Sequence, residues 1–315
     1  MEGVEQKIKF LDVGHGDSSI IYLSDVCSGC EKVVVIDIVD SEKLLAELEK
    51  QKIKEIDLII ISHSDADHCR GVNDFLEKFT VAGSVKSICY NLDKRMPTQM
   101  MKIFLKKFLE LHRKHRIDLR LGQISSTSTQ KKEMVSIGKS NLWLLYPNVD
   151  EATEAYLENN TNNTSVVCLL ENDACNVLFS GDLEQGGWER LLKRMPGLQC
   201  DILKMPHHGA FYDSKCGMGL KEILAALNPQ TAIISSGNHL GYKHPAGQTI
   251  ELLKEKKIKT YCTEYTDLCH FNLNEFHRKC HGDIEIEVNS EAYEIKTEVE
   301  NISLLAHSAC AISNI

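Results

Sequence analysis

Apolar and polar positions change period many times along the chain, marking short strands and helices in alternation. Ile8–Leu11 and Ser18–Leu23 read as strands on either side of the loop Asp12-Val13-Gly14-His15-Gly16-Asp17, whose glycines permit close backbone approach. Val33–Asp37 is a third strand, ending on a carboxylate. Ser41 is placed to cap a helix over Glu42–Gln51 with Leu44, Leu45 and Leu48 on its buried side. Leu58–Ile61 is apolar at every position, as in a strand buried on both faces. Further strands are predicted over 85–90, 141–147, 165–170, 176–180, 201–205, 231–235 and 259–263, with a closing hairpin over 284–295. Helices are predicted from Gly71, over Gln99–Arg116 with the stripe Met100, Ile103, Phe104, Phe108 and Leu111, from Trp188, and over Thr249–Lys257. Val149–Asn163 reads as a polar insertion or a short helix. The pattern is that of an α/β protein. No internal repeat and no linker divides it, so one domain is expected over 1–297, with a basic insertion at 93–132 and a tail at 298–315.

Several predicted strands end on a histidine or an acid. Densest is Ile61-Ser62-His63-Ser64-Asp65-Ala66-Asp67-His68, which places His63, Asp65, Asp67 and His68 in a short loop leaving a buried strand. Charges packed so closely repel unless a cation neutralises them. Asp182 follows the strand ending at Ser180, His207-His208 follow the one ending at Met205, and His244 lies beyond the one ending at Ser235. Ligands gathered from strand ends make a rigid site. His63 with Asp65 can face one ion and Asp67 with His68 a second, bridged by Asp182 and completed by one of His207 or His208. Two such cations, about 3.5–4 Å apart, activate water and stabilise charge on the attacked group. The chain carries no nucleophile elbow and no phosphate-binding P-loop.

Charge refines this picture. The net charge of −9 excludes a non-specific nucleic-acid coat. Asp93–Lys132 nevertheless holds eleven Lys and Arg against three acids, a local excess of 11 − 3 = +8, which suits a phosphate-bearing substrate or a solvated helix face. The apolar runs are strand-sized, so no membrane span is expected. Met1–Lys7 does not read as a signal peptide, and the 12 cysteines read as reduced thiols, so a cytoplasmic location is expected. Cys27-Ser28-Gly29-Cys30 reads as a hairpin turn.

The motifs resemble those of the metallo-β-lactamase superfamily. His63-Ser64-Asp65-Ala66-Asp67-His68 is similar to the H-x-D-x-D-H variant of the soluble domain of ComEC-like competence proteins. Phe10-Leu11-Asp12-Val13-Gly14-His15-Gly16-Asp17-Ser18 resembles that group's F-L-D-V-G-Q-G-D-S, with His15 where glutamine is usual. Asn162-Asn163-Thr164-Ser165, Gly181-Asp182-Leu183, Lys204-Met205-Pro206-His207-His208-Gly209 and Tyr242-Lys243-His244-Pro245 follow in the order the group implies. The resemblance implies an αββα sandwich of two mixed sheets and a dinuclear centre. His63 and Asp65 would hold the first metal, Asp67, His68 and His207 the second, and Asp182 would bridge. Asp65 stands where a histidine is commoner, and no clear histidine ligand stands just before Gly181-Asp182, so the first position is richer in oxygen than a usual zinc site. Oxygen donors favour Mn²⁺, with Zn²⁺ next and Mg²⁺ admitted. Asp67 and His244 are the candidate catalytic residues, His244 for protonating the leaving group or binding a substrate oxygen.

The expected function is a metal-dependent phosphodiesterase, most directly a nuclease on DNA or RNA. The alternatives are a hydrolase of a small ester, lactone or thioester, and a metal-binding partner protein without turnover. A role in a defence system is left open by the sequence. Asp37, His239, His270, His277 and His281 are expected to be structural or superficial.

Overall fold

A computed structural model of the protein describes residues 5–25, 27–91, 99–115, 117–124, 130–237, 243–266, 280–289 and 291–299. In chain order the strands are β1 (Gln6–Phe10), β2 (Ser19–Asp25), β3 (Cys30–Ile36), β4 (Glu55–Ile61), β5 (Ser84–Tyr90), β6 (Asp118–Leu121), β7 (Lys132–Ile137), β8 (Ser140–Tyr146), β9 (Val167–Glu171), β10 (Val177–Phe179), β11 (Ile202–Lys204), β12 (Thr231–Ile234), β13 (Lys259–Cys262), β14 (Ile284–Val288) and β15 (Tyr293–Thr297). The helices are α1 (Ser41–Lys50), α2 (Ala66–Cys69), α3 (Val72–Phe79), α4 (Gln99–His115), α5 (Val149–Leu157), α6 (Gln185–Arg194), α7 (Leu220–Leu227) and α8 (Gly247–Glu255).

One sheet has the order β15-β14-β1-β2-β3-β4-β5-β6 and the other β13-β12-β11-β10-β9-β8-β7. In both, an antiparallel run passes into parallel strands, from β3 to β6 and from β10 to β13. The carboxyl ends of β4, β10, β11 and β12 therefore open at one edge of the sandwich, where ligands of parallel sheets gather.

The apolar run of β4 explains the layers. Leu58 and Ile60 point into the cluster between the sheets, with Phe10, Val34, Leu144 and Leu170. Ile59 and Ile61 point the other way, into a cluster shared with Leu44, Phe75 and Phe108 of α1, α3 and α4. A third cluster packs Trp188, Leu191, Leu224 and Leu253 of α6, α7 and α8 against Leu178 and Leu203. Helix, sheet, sheet and helix thus form the αββα sandwich that the resemblance implies.

Several local expectations need correction. Asp40, not Ser41, caps α1: its carboxylate accepts from Lys43 N at 3.0 Å, while the Ser41 hydroxyl donates to Asp74. In α4 the buried stripe is Phe104, Phe108 and Leu111, and Ile103, one residue off that i, i+4, i+7 row, is 49% exposed. Of the two readings of the segment after Pro147, the short helix holds, with Asn148 and Glu151 forming a capping box. Strands β6 and β7 and helix α7 were not legible from periodicity. Cys27 and Cys30 lie exposed at the β2–β3 hairpin. His239, His270, His277 and the tail from 300 lie outside the described residues.

Candidate metal centre

The loop after β4 turns sharply because α2 is a single helical turn that starts from the carbonyl of Asp65, which accepts from His68 N and Cys69 N. His63 and His68 are thereby fully buried with their ring centroids 4.2 Å apart. The β1–β2 loop lies on top, with Asp17 N donating to Asp67 O at 3.0 Å. Only glycine fits at Gly16: its φ is +132°, and an added Cβ would stand 2.5 Å from Asp67 O. Gly237, after β12, is held to the same standard by Gly14 and His15, whose backbone a Cβ would meet at 2.3 Å.

The second sheet supplies the opposite wall. Asp182 follows β10, is buried, and its amide donates to Ser165 Oγ at 3.1 Å. Its Oδ1 stands 3.1 Å from His68 Nε2, and its Oδ2 stands 3.8 Å from each of His63, His207 and His208 Nε2. His207 and His208 follow β11 in consecutive left-handed conformations, φ 47° and 52°. Their rings are consequently splayed, 70° between planes and 6.3 Å between centroids.

Asp67, His68, Asp182 and His208 bring donor atoms that all lie within 4.8 Å of one another. The sequence reading grouped His207 with Asp67 and His68; the structure brings His208 there, its Nε2 3.4 Å from Asp67 Oδ2. The left-handed turn, not the order of the two residues, decides which ring faces inward. His207 Nε2 is 3.8 Å from Asp182 Oδ2, the same distance as His63 Nε2. Asp65 Oδ2 is 3.8 Å from His63 Nε2. The ring centroid of His244 is 5.2 Å from that of His207.

Other groups surround these. Asp37, expected to be structural, has φ 58° and lies 2.8 Å from His68 Nδ1 while accepting from Ser62 N and Oγ, each at 2.7 Å. Lys204 Nζ is buried 2.7 Å from Asp17 Oδ1, and Asp17 stands 3.8 Å from His208 Nδ1. Glu184 Oε1 is 3.4 Å from His207 Nδ1 and accepts from Asn162 at 2.8 Å. His15 Nε2 reaches Asp67 Oδ2 at 3.1 Å. The Asp17 of the glycine loop belonged to a motif visible in the sequence; Asp37 had been read as structural or superficial, and Glu184 had no signal.

Burial raises the cost of ionising Asp182, yet the neighbouring His68, His208 and His63 hold it well below the usual carboxylate range. Asp17 is likewise lowered, by Lys204, His208 and His68 against the effect of burial. Burial pushes His68 down, but Asp182 and Asp37 outweigh it and raise its pKa well above the ordinary value. Burial and the charge of His68 lower His63. Acids and imidazoles thus share one buried pocket, where Asp17 and Asp182 are lowered and His68 is raised.

Solved structures similar to this chain include YhfI from Bacillus subtilis, a metallo-beta-lactamase fold protein (TM-score 0.48, 13% identity, covering 82% of this chain and 96% of that one). Human tRNase Z, short form, aligns with a TM-score of 0.43 and 12% identity over 74% of this chain and 93% of that one. Among curated proteins, ComE operon protein 3 of Bacillus subtilis (strain 168) is 25% identical over 223 residues, 70% of this chain and 25% of that protein. Competence protein ComA of Neisseria gonorrhoeae is 30% identical over 113 residues, 36% of this chain and 16% of that protein. The chain therefore spans about a quarter or less of the length of these relatives. The family model described as Metallo-beta-lactamase superfamily matches residues 12–235, which carry His63, His68, Asp182 and His208. The chain thus belongs to the metallo-beta-lactamase superfamily and is related to its ComEC-like members.

Proposed function

We propose that the protein is a metal-dependent phosphodiesterase, a nuclease on DNA or RNA, working through two divalent cations. The observation that carries this reading is a set of buried metal-binding atoms facing one centre: His63 Nε2, His68 Nε2, His208 Nε2 and Asp182 Oδ1 make no well-formed hydrogen bond, although His68 Nε2 and Asp182 Oδ1 stand 3.1 Å apart. Unsatisfied buried polar atoms cost about 1–3 kcal/mol each, so several facing one centre call for a shared ligand. Their nitrogen and carboxylate chemistry fits divalent cations. Asp67, His68 and His208 would hold one ion, His63 and Asp65 the other, with Asp182 between them. Bound there, the ions would supply an activated water and neutralise charge on a phosphate. The carboxylates favour Mn²⁺, with Zn²⁺ next and Mg²⁺ third.

The remaining residues orient and exclude. Asp37 and the Ser235 carbonyl, 3.1 Å from His208 Nδ1, fix the tautomers that leave each Nε2 directed inward. His15 steadies Asp67. Burial, then the neighbouring His207, His208 and His15, lower His244 to about 4, so its ring is neutral at pH 7 and serves as a hydrogen-bonding group for a substrate oxygen rather than a proton donor. Lys102, Lys106, Arg113 and Lys114 on the outer face of α4 are exposed and offer charge to a phosphate backbone.

The test supplies Mn²⁺, Zn²⁺ or Mg²⁺ with single-stranded DNA, duplex DNA and RNA, using the double variant Asp67→Ala/His68→Ala as blank. Metal-dependent cleavage absent from the blank is expected. Hydrolysis of a lactone or carboxylic ester with no cleavage of any nucleic acid would overturn the substrate assignment.

A further inference from the structure

Resting on that dinuclear reading, we infer that the adjacent histidines divide between the two ions: His208 serves the ion at Asp67 and His68, and His207, held by Glu184, serves the ion at His63 and Asp65. This supplies the imidazole that the chain lacks ahead of Gly181-Asp182.

Three observations converge. The consecutive left-handed residues splay the rings, yet both Nε2 atoms stand 3.8 Å from the same oxygen, Asp182 Oδ2, which is also 3.8 Å from His63 Nε2. His207 has a protein oxygen beside its Nδ1, as the other three rings do, although its 3.4 Å contact with Glu184 is an ion-pair approach rather than a formed hydrogen bond. Those oxygens are Ser62 Oγ for His63 at 3.2 Å, Asp37 Oδ2 for His68 at 2.8 Å, the Ser235 carbonyl for His208 at 3.1 Å, and Glu184 Oε1 for His207 at 3.4 Å. A carboxylate behind an imidazole is the usual support of a metal-bound histidine. Glu184 is itself fixed by Asn160 and Asn162, each donating at 2.8 Å, so it is built to hold a ring.

The result is a balanced pair of positions. One takes His63, His207 and Asp65, the other His68, His208 and Asp67, and Asp182 serves both. Each loop thus gives one imidazole to each ion, and the two ions are expected to have similar affinities. A site lacking His207 would be left with one imidazole and would bind its ion weakly.

Mn²⁺ binding to the full chain tests this by metal analysis and electron paramagnetic resonance, neither of which depends on turnover. Wild type is expected to hold two Mn²⁺ with an exchange-coupled spectrum. His207→Ala is expected to hold one, with the six-line signal of an isolated ion. Glu184→Gln, which keeps the side-chain shape, is expected to weaken one of the two ions about 10–100-fold. Circular dichroism checks that each variant is folded, and Glu184→Gln decides the matter if His207→Ala is not. Two ions with unchanged affinities and coupling in both variants would overturn the division of the histidines. Fewer than two ions in wild type would instead overturn the dinuclear reading beneath it.

Discussion

Asp37 Oδ2 lies 2.8 Å from His68 Nδ1, and the residue that makes this contact is held at φ 58°. A left-handed conformation in a non-glycine residue is sustained only when surrounding contacts fix it, here the Ser62 amide and hydroxyl. Asp37→Ala should lower metal affinity and activity about 10–100-fold, since the ring behind the ion loses its support. Isothermal titration with Mn²⁺ and steady-state rates on the same preparation would check it; unchanged affinity would return Asp37 to a structural role.

Asp182 faces His63, His68, His207 and His208 together. Asp182→Asn removes the charge while keeping the shape, and should weaken both ions at once, with a loss of activity larger than the 10–100-fold expected of a supporting residue. Metal content after dialysis is the measurement. Loss of a single ion would show that the carboxylate does not bridge.

His244 is lowered to about 4. A ring already neutral at pH 7 should not act as the proton donor, so His244→Asn should cost less than the 10²–10⁴-fold typical of acid–base groups. Its effect should fall mainly on KM. A drop in kcat with KM unchanged, and loss of an acidic limb from the pH profile, would restore His244 as a catalytic acid.

On α4, the exposed Lys102, Lys106 and Arg113 have no acidic partner among the described residues, whereas Lys107 is paired with Glu77 at 3.1 Å and Lys114 with Glu110 at 2.6 Å. Reversal of these three charges to glutamate should raise KM for nucleic acid and flatten its dependence on salt, each lost phosphate contact reducing the slope by about 0.7–0.9. Hydrolysis of a small phosphodiester should be unaffected. An unchanged salt slope would mean that the face is only solvated.

Asp283 joins three elements: it accepts from Asp12 N at 2.9 Å, pairs with Lys43 at 2.7 Å and lies 3.3 Å from Lys9. Burial raises its pKa, but Lys43, the Asp12 amide and Lys9 outweigh it and leave it lowered. A depressed carboxylate stabilises the fold above its unfolded value of about 3.9, and that contribution disappears as pH falls through the folded value. Asp283→Asn should cost about 1.5–3 kcal/mol at neutral pH. Thermal melts at stepped pH should show wild type converging on the variant in acid; a constant gap would separate the effect from ionisation.

The loop His63–His68 was legible because its chemistry is local: dense acids and imidazoles beside an apolar strand admit few explanations. The layers were legible because Leu58–Ile61 is apolar in both registers of the pleat. Asp37 was not, since its role depends on a partner 31 residues away brought in by a parallel crossover. Glu184 carried no signal either, being one acid among many until the fold sets it behind His207. The order of His207 and His208 was hidden for a different reason: a backbone turn, φ 47° and 52°, chooses which ring faces which way. Ile103 and Ser41 misled because periodicity places an element to within a residue, and one residue changes the face.

Four of the candidate ligands hang from one sheet and three from the other, with Val166 N donating to Ser62 O at 2.9 Å and Lys204 pairing with Asp17 across the divide. The apolar filling between the sheets therefore acts as a spacer that sets how far apart the two walls of the site stand. A methylene removed from Ile60 or Leu144 would alter that gap before it unfolded anything. Substitutions in this layer should change metal affinity in addition to the stability cost of about 0.5–1.5 kcal/mol for a lost buried methyl group, so that the interior of the sandwich is a tuning element of its edge.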